Sequence, residues 1–72
     1  MSEKYPQAIK LGKRLREYRR SCGVTQEQLA EKVGVSLEWI GRIERGLYFP
    51  NWLLLIKIAK ALRVKVQDLI PF

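Results

Sequence analysis

The residues from Thr25 to Gly46 leave this chain few folds to choose from. Within TQEQLAEKVGVSLEWIGRIERG two helix-start signals stand eleven residues apart, with a glycine between them. Thr25 followed three residues later by Gln28 is a capping-box pattern, in which the hydroxyl accepts from an orphan backbone N–H and the amide reaches back. Ser36 is a second N-cap residue. Leu29, Ala30 and Val33 form an apolar stripe at helical spacing after the first signal, and Val35, Ile40 and Ile43 do so around the second. The pattern predicts two short amphipathic helices packed on each other across a tight turn at Gly34.

The flanks extend this reading to five short helices, an all-α fold with no strand alternation and no internal repeat. Residues 1–6 read as a flexible polar lead-in, because the position before a proline disfavours helix. A single domain then spans residues 7–72. Its first helix runs from about Gln7 to Ser21, with Leu11, Leu15, Tyr18 and Cys22 as a buried stripe and Gly23 as its left-handed stop. The second and third cover about 26–33 and 37–45, with Gly46 closing the third. Asn51 caps a fourth helix reaching about Leu62, on which Trp52, Leu55, Ala59 and Leu62 share one face and Ile58 lies beside them. Leu53, Leu54 and Ile56 fall elsewhere, more apolar surface than one small core needs. Val66 to Ile70 supply a last turn or two, with Leu69 pointing inward.

Several function classes are excluded early. The chain has no histidine, so the usual general bases, triads and metal-ligand sets are missing, and seven carboxylates form no cluster suited to catalysis. Cys22 is alone, which excludes an intrachain disulfide or a multi-cysteine zinc site; it reads as a packed thiol ending the first helix. No enzyme, metal, cofactor or small-molecule ligand is expected. The longest apolar run, Trp52 to Ile56, is five residues against the roughly 20 that a membrane span needs, so the expected location is the cytoplasm.

A net charge of +7 favours a polyanionic partner. Its distribution is uneven: +5 over residues 1–22, −1 over 23–50 and +3 over 51–72. Charge alone therefore points to the flanks and away from the central pair of helices. A chain of 72 residues also buries a limited fraction of its surface, which favours a core shared with a second copy.

LGKRLREYRRSCGVTQEQLAEKVGVSLEWIGRIERG, then P-N-W-x-x-L-x-x-I-A-K-A-L and a short final helix, resembles the phage repressor and Cro type of helix-turn-helix domain, often called the Xre family. The resemblance covers about Ile9 to Ile70. T-Q-x-x-L-A-x-x-x-G-V-S, I-x-x-I-E-R-G and P-x-x-x-x-L-x-x-I-A-x-A-L stand at the family's spacing. It implies a compact five-helix lambda-repressor-like domain in which the helix from Gln26 crosses the DNA backbone and the helix after Ser36 enters the major groove.

With Ile40 and Ile43 inward, the outward positions of that recognition helix are Leu37, Glu38, Gly41, Arg42 and Arg45. Arg42 is the leading base-contact candidate, because its fork bonds O6 and N7 of guanine together; a phosphate contact or a solvated arginine is the other reading. Glu38 either accepts from a cytosine amino group or serves as a charge favouring the helix N-terminus. Leu37 offers van der Waals contact, and Gly41 suggests close backbone approach. Trp39 packs on the scaffold or lies against the sugar-phosphate wall. Thr25 and Gln26 begin a helix whose free N–H groups suit a phosphate, with Arg45 and Tyr48 as further phosphate contacts. The resemblance implies that Arg19 and Glu44 form a buried structural ion pair.

The sequence departs from the family at Leu47-Tyr48-Phe49, where basic residues are frequent, and at Arg63, where a capping glycine is common. Surplus apolar residues Phe49, Leu53, Leu54, Ile56, Ile70 and Phe72, with Leu47, are assigned to a dimer interface. The expected function is a sequence-specific regulator of transcription that binds double-stranded DNA, a repressor acting as a homodimer on a near-palindromic operator. The alternative is a protein-interaction module, or antitoxin component, that keeps the helix-turn-helix fold.

Overall fold

Three of the helices begin where the side chain before them replaces a missing backbone partner. The computed structural model describes residues 6–70, which form α1 (Pro6–Ser21), α2 (Gln26–Val33), α3 (Leu37–Glu44), α4 (Trp52–Leu62) and α5 (Val66–Leu69). The lead-in assigned to residues 1–6 lies outside the described residues except for Pro6. That proline opens α1, at the one helical position where its missing N–H costs nothing. At α2, Thr25 Oγ1 accepts from the Gln28 N–H at 3.0 Å while Gln28 Oε1 accepts from the Thr25 N–H at 2.9 Å. Ser36 Oγ accepts from Trp39 at α3, and Asn51 Oδ1 from Leu54 at α4. Between α2 and α3 the chain reverses at Gly34, whose φ of 78° lies in the left-handed region that side chains with a Cβ avoid.

The helices close on one core. Leu11 and Leu15 of α1, Leu29 of α2, Ile40 and Ile43 of α3, Ile58 and Leu62 of α4 and Leu69 of α5 are all fully buried. α3 packs against both α1 and α2, α4 lies on α2, and α5 joins α4 to α1. The tightest approach is at Gly12 of α1. A Cβ there would overlap the Ile43 carbonyl oxygen and stand 2.6 Å from that of Glu44, so the C-terminal end of α3 rests directly on α1 backbone.

Three expectations for the core change. Trp52, expected on the inner face of α4, is 62% exposed, whereas Leu54, expected outside it and at a dimer surface, is buried at 8%. The covered sector of α4 is Leu54, Leu55, Ile58, Ala59 and Leu62, set by α2 on one side and α5 on the other. Trp52 falls beyond it and lines an open groove with Ile56, Val66, Gln67 and Ile70. Cys22 lies past the end of α1 and is exposed, although its thiol reaches the Leu62 carbonyl at 3.3 Å. Leu11 and Leu15 are buried as expected, Tyr18 is half-buried against the core, and Ala8, Gly12 and Arg19 complete the buried positions of α1.

Candidate nucleic-acid interface

α3 divides into an anchored side and an open side. Ile40, Ile43 and Glu44 are buried, while Leu37, Glu38, Arg42 and Arg45 are exposed. An eight-residue helix with this division presents its N-terminal turn and one lateral stripe to whatever approaches it.

Glu44 holds the anchored side. Its side chain is fully inaccessible and accepts from Arg19 Nε at Oε2, from Arg19 Nη2 at 3.2 Å, from Arg16 Nε at 3.3 Å and from Gln26 Nε2 at 2.9 Å. Arg19 completes its own set by donating from Nη1 to the Val24 carbonyl at 2.9 Å. Burial raises the Glu44 carboxyl, but hydrogen bonds from Arg19 and Gln26, the Arg19 charge and the Arg16 bond outweigh it, holding Glu44 below the ordinary value of 4.5. One carboxylate thereby joins α1, the start of α2 and the end of α3.

This network alters the part expected of Gln26. Its amide nitrogen is engaged by Glu44, leaving its second amide hydrogen for an outside acceptor. Thr25 is exposed, and its hydroxyl already serves the capping box. Around both, Arg16, Arg20, Val24 and Glu27 complete an open cleft at the start of α2. Arg16 and Arg20 were not singled out in the sequence. The available signal was their four-residue spacing, which puts both on one face of α1, beside Arg19.

On the open side Gly41 does not reach outward. It is buried, and the Arg45 guanidinium folds back over it, 3.2 Å from where a Cβ would stand. The missing side chain makes room for Arg45 rather than for a base edge. Trp39 is half-buried with its ring 4.1 Å, centroid to centroid, from that of Tyr48, and the Arg42 guanidinium stands 5.7 Å over the indole. Tyr48 is therefore half-buried against Trp39. Leu47, Phe49, Trp52 and Leu53 form an exposed apolar surface from the loop after α3 into α4; Ile56 and Ile70 are half-buried beside it, and Phe72 lies outside the described residues.

This architecture matches known proteins. A helix-turn-helix domain family model covers residues 10–71, and the chain belongs to that family, of the phage repressor and Cro type. A helix-turn-helix transcriptional regulator of Archaeoglobus fulgidus is 46% identical over 59 residues, 82% of this chain and 84% of the relative. Among solved structures, the restriction-modification controller protein C.AhdI from Aeromonas hydrophila is similar with a TM-score of 0.86 at 35% identity, over 90% of this chain and 98% of its own. The biofilm master regulator SinR, solved in complex with DNA, gives 0.78 at 37% identity over 82% and 95%. These proteins are transcription regulators, not enzymes. No described helix is long and apolar enough to cross a membrane.

Proposed function

We propose that this protein is a sequence-specific regulator of transcription that binds double-stranded DNA through α3, a cytoplasmic repressor acting as a homodimer on a near-palindromic operator. The observation that carries this reading is the division of α3: Ile40, Ile43 and Glu44 fixed inside, and Leu37, Glu38 and Arg42 open outside with Arg45 at the C-cap. Arg42 reads guanine through O6 and N7, Glu38 accepts from a cytosine amino group, and Leu37 meets a thymine methyl. Thr25, Gln26, Arg45 and Tyr48 hold phosphates, and the arginines of the α2 cleft add to them. α3 itself carries little positive charge, so the basic flanks supply the attraction to the duplex. Half-sites then lie about one helical turn apart, facing two copies joined through the apolar surface of α4.

Selection from a random duplex pool tests the reading, with affinity for the recovered site measured at 50 and 200 mM salt. A near-palindromic site, and affinity falling on the order of 10³-fold across that range, are expected. Enrichment of no sequence, or binding indifferent to salt, would overturn it in favour of a protein-interaction module.

A further inference from the structure

The recognition helix contains an aromatic residue that is neither core nor free surface. Trp39 is half-buried, its ring set on Tyr48, with the Arg42 guanidinium over the indole at 5.7 Å. That separation lies within the roughly 6 Å over which a ring quadrupole attracts a cation, and tryptophan is the strongest of the aromatic partners. The two residues are three positions apart on one helix, so their Cβ atoms face the same side. Tyr48, from the loop after α3, packs on the indole and so ties it to a second part of the chain.

Without this contact Arg42 would be an exposed arginine with several rotatable bonds, and most of its rotamers would not present the fork to a base pair. Ordering such a side chain on binding costs entropy, and any part of that ordering done beforehand strengthens the bound state. We propose that Trp39 is a positioning residue, whose indole holds the Arg42 guanidinium in a restricted set of orientations and so sharpens recognition of the base pair that Arg42 reads. The proposal rests on the reading of α3 as the recognition helix. Trp39 packs against the core and Tyr48, as the sequence suggested, and on its open side it meets Arg42 rather than the sugar-phosphate wall.

The test compares the wild type with Arg42→Ala, Trp39→Leu, Trp39→Phe and the two Trp39 substitutions in the Arg42→Ala background. Each undergoes duplex selection, with thermal melting followed in parallel. Arg42→Ala identifies the position at issue as the one whose preference relaxes. Trp39→Leu is expected to weaken preference there by about two- to five-fold, the effect of an exposed cation–π contact, and Trp39→Phe by less. In the Arg42→Ala background neither should change that position further. A purely structural role would instead lower affinity evenly across the site. Unchanged preference, or an equal loss with and without Arg42, would overturn the proposal. Should Trp39→Leu fail to fold, Trp39→Phe carries the same comparison. Failure of the DNA-binding reading is distinguishable, because the wild type itself would then enrich no sequence.

Discussion

Glu44 is the residue whose loss the fold can least absorb. Its fully buried carboxylate partners Arg19, itself only 10% accessible, so truncation leaves a guanidinium with little water around it. Glu44→Ala is expected to cost about 3–5 kcal/mol. A domain of this length commonly has about 0.05–0.15 kcal/mol per residue, so denaturant titration should find the variant near the limit of folding. Because the native carboxyl is held below its ordinary value of 4.5, the stability it contributes is fully present above that pH and is lost as pH falls through the lower native value. Denaturation midpoints at successive pH values below 4.5 should fall, and a variant lacking the carboxylate should lose that part of the slope. Arg63 presents the opposite case. It closes α4 with φ of 60°, the single described non-glycine residue at positive φ, and it is exposed. Arg63→Gly should therefore stabilise the domain by about 1 kcal/mol, which is about 4–8 °C in a thermal melt.

At the scale of the element, what the sequence disclosed and what it withheld divide by range. Caps, stripes and glycine turns are local, so Thr25, Ser36, Asn51 and Gly34 could be read without knowing what packed where. Trp52 and Leu54 exchanged places because the covered sector of α4 depends on where α2 and α5 lie, which periodicity within α4 does not encode. The glycines make the same point. Gly41 stood out on the open side as suggesting close backbone approach, whereas Gly12, the one glycine whose added Cβ would press on carbonyl oxygens, carries no local signal within α1. Alanine at the two positions should have opposite signs. At Gly41 the new methyl meets only the tip of Arg45, a flexible group, so up to ~1 kcal/mol of helix propensity is gained. At Gly12 it meets carbonyl oxygens that no rotamer can move, and overpacking of about 1–3 kcal/mol outweighs that gain. Paired thermal melts of Gly41→Ala and Gly12→Ala would check both, and equal shifts would contradict the account.

For the molecule as a whole, α4 and the loop before it leave large apolar side chains exposed that a partner would cover. Leu47, Trp52 and Leu53 are 52%, 62% and 61% accessible, large side chains in the loop after α3 and the first turn of α4. The proposed partner is a second copy of the chain, and Trp52 belongs with the residues it would cover. Trp52→Ser with Leu53→Ser should leave the melting curve of the monomer nearly unchanged while sedimentation shifts from dimer to monomer. Operator affinity should then fall as well, since two half-sites no longer bind as a unit. An unshifted sedimentation profile would place the interface elsewhere.

The contact at Gly12 has a mechanical side. It fixes α3 at its C-terminal end, where Glu44 is also held, while Leu37 and Glu38 stand at the other end of a rod about 12 Å long. A rod clamped at its base magnifies any tilt at the clamp into displacement at its tip. The backbone of α1 meets α3 at the Ile43 and Glu44 carbonyls and, with α2, sets the angle at which the outward side chains are held. A change at residue 12 too mild to unfold the domain would thus mis-aim Leu37 and Glu38 more than Arg45, and under the proposed mode of DNA binding would blur one edge of each half-site and spare the other.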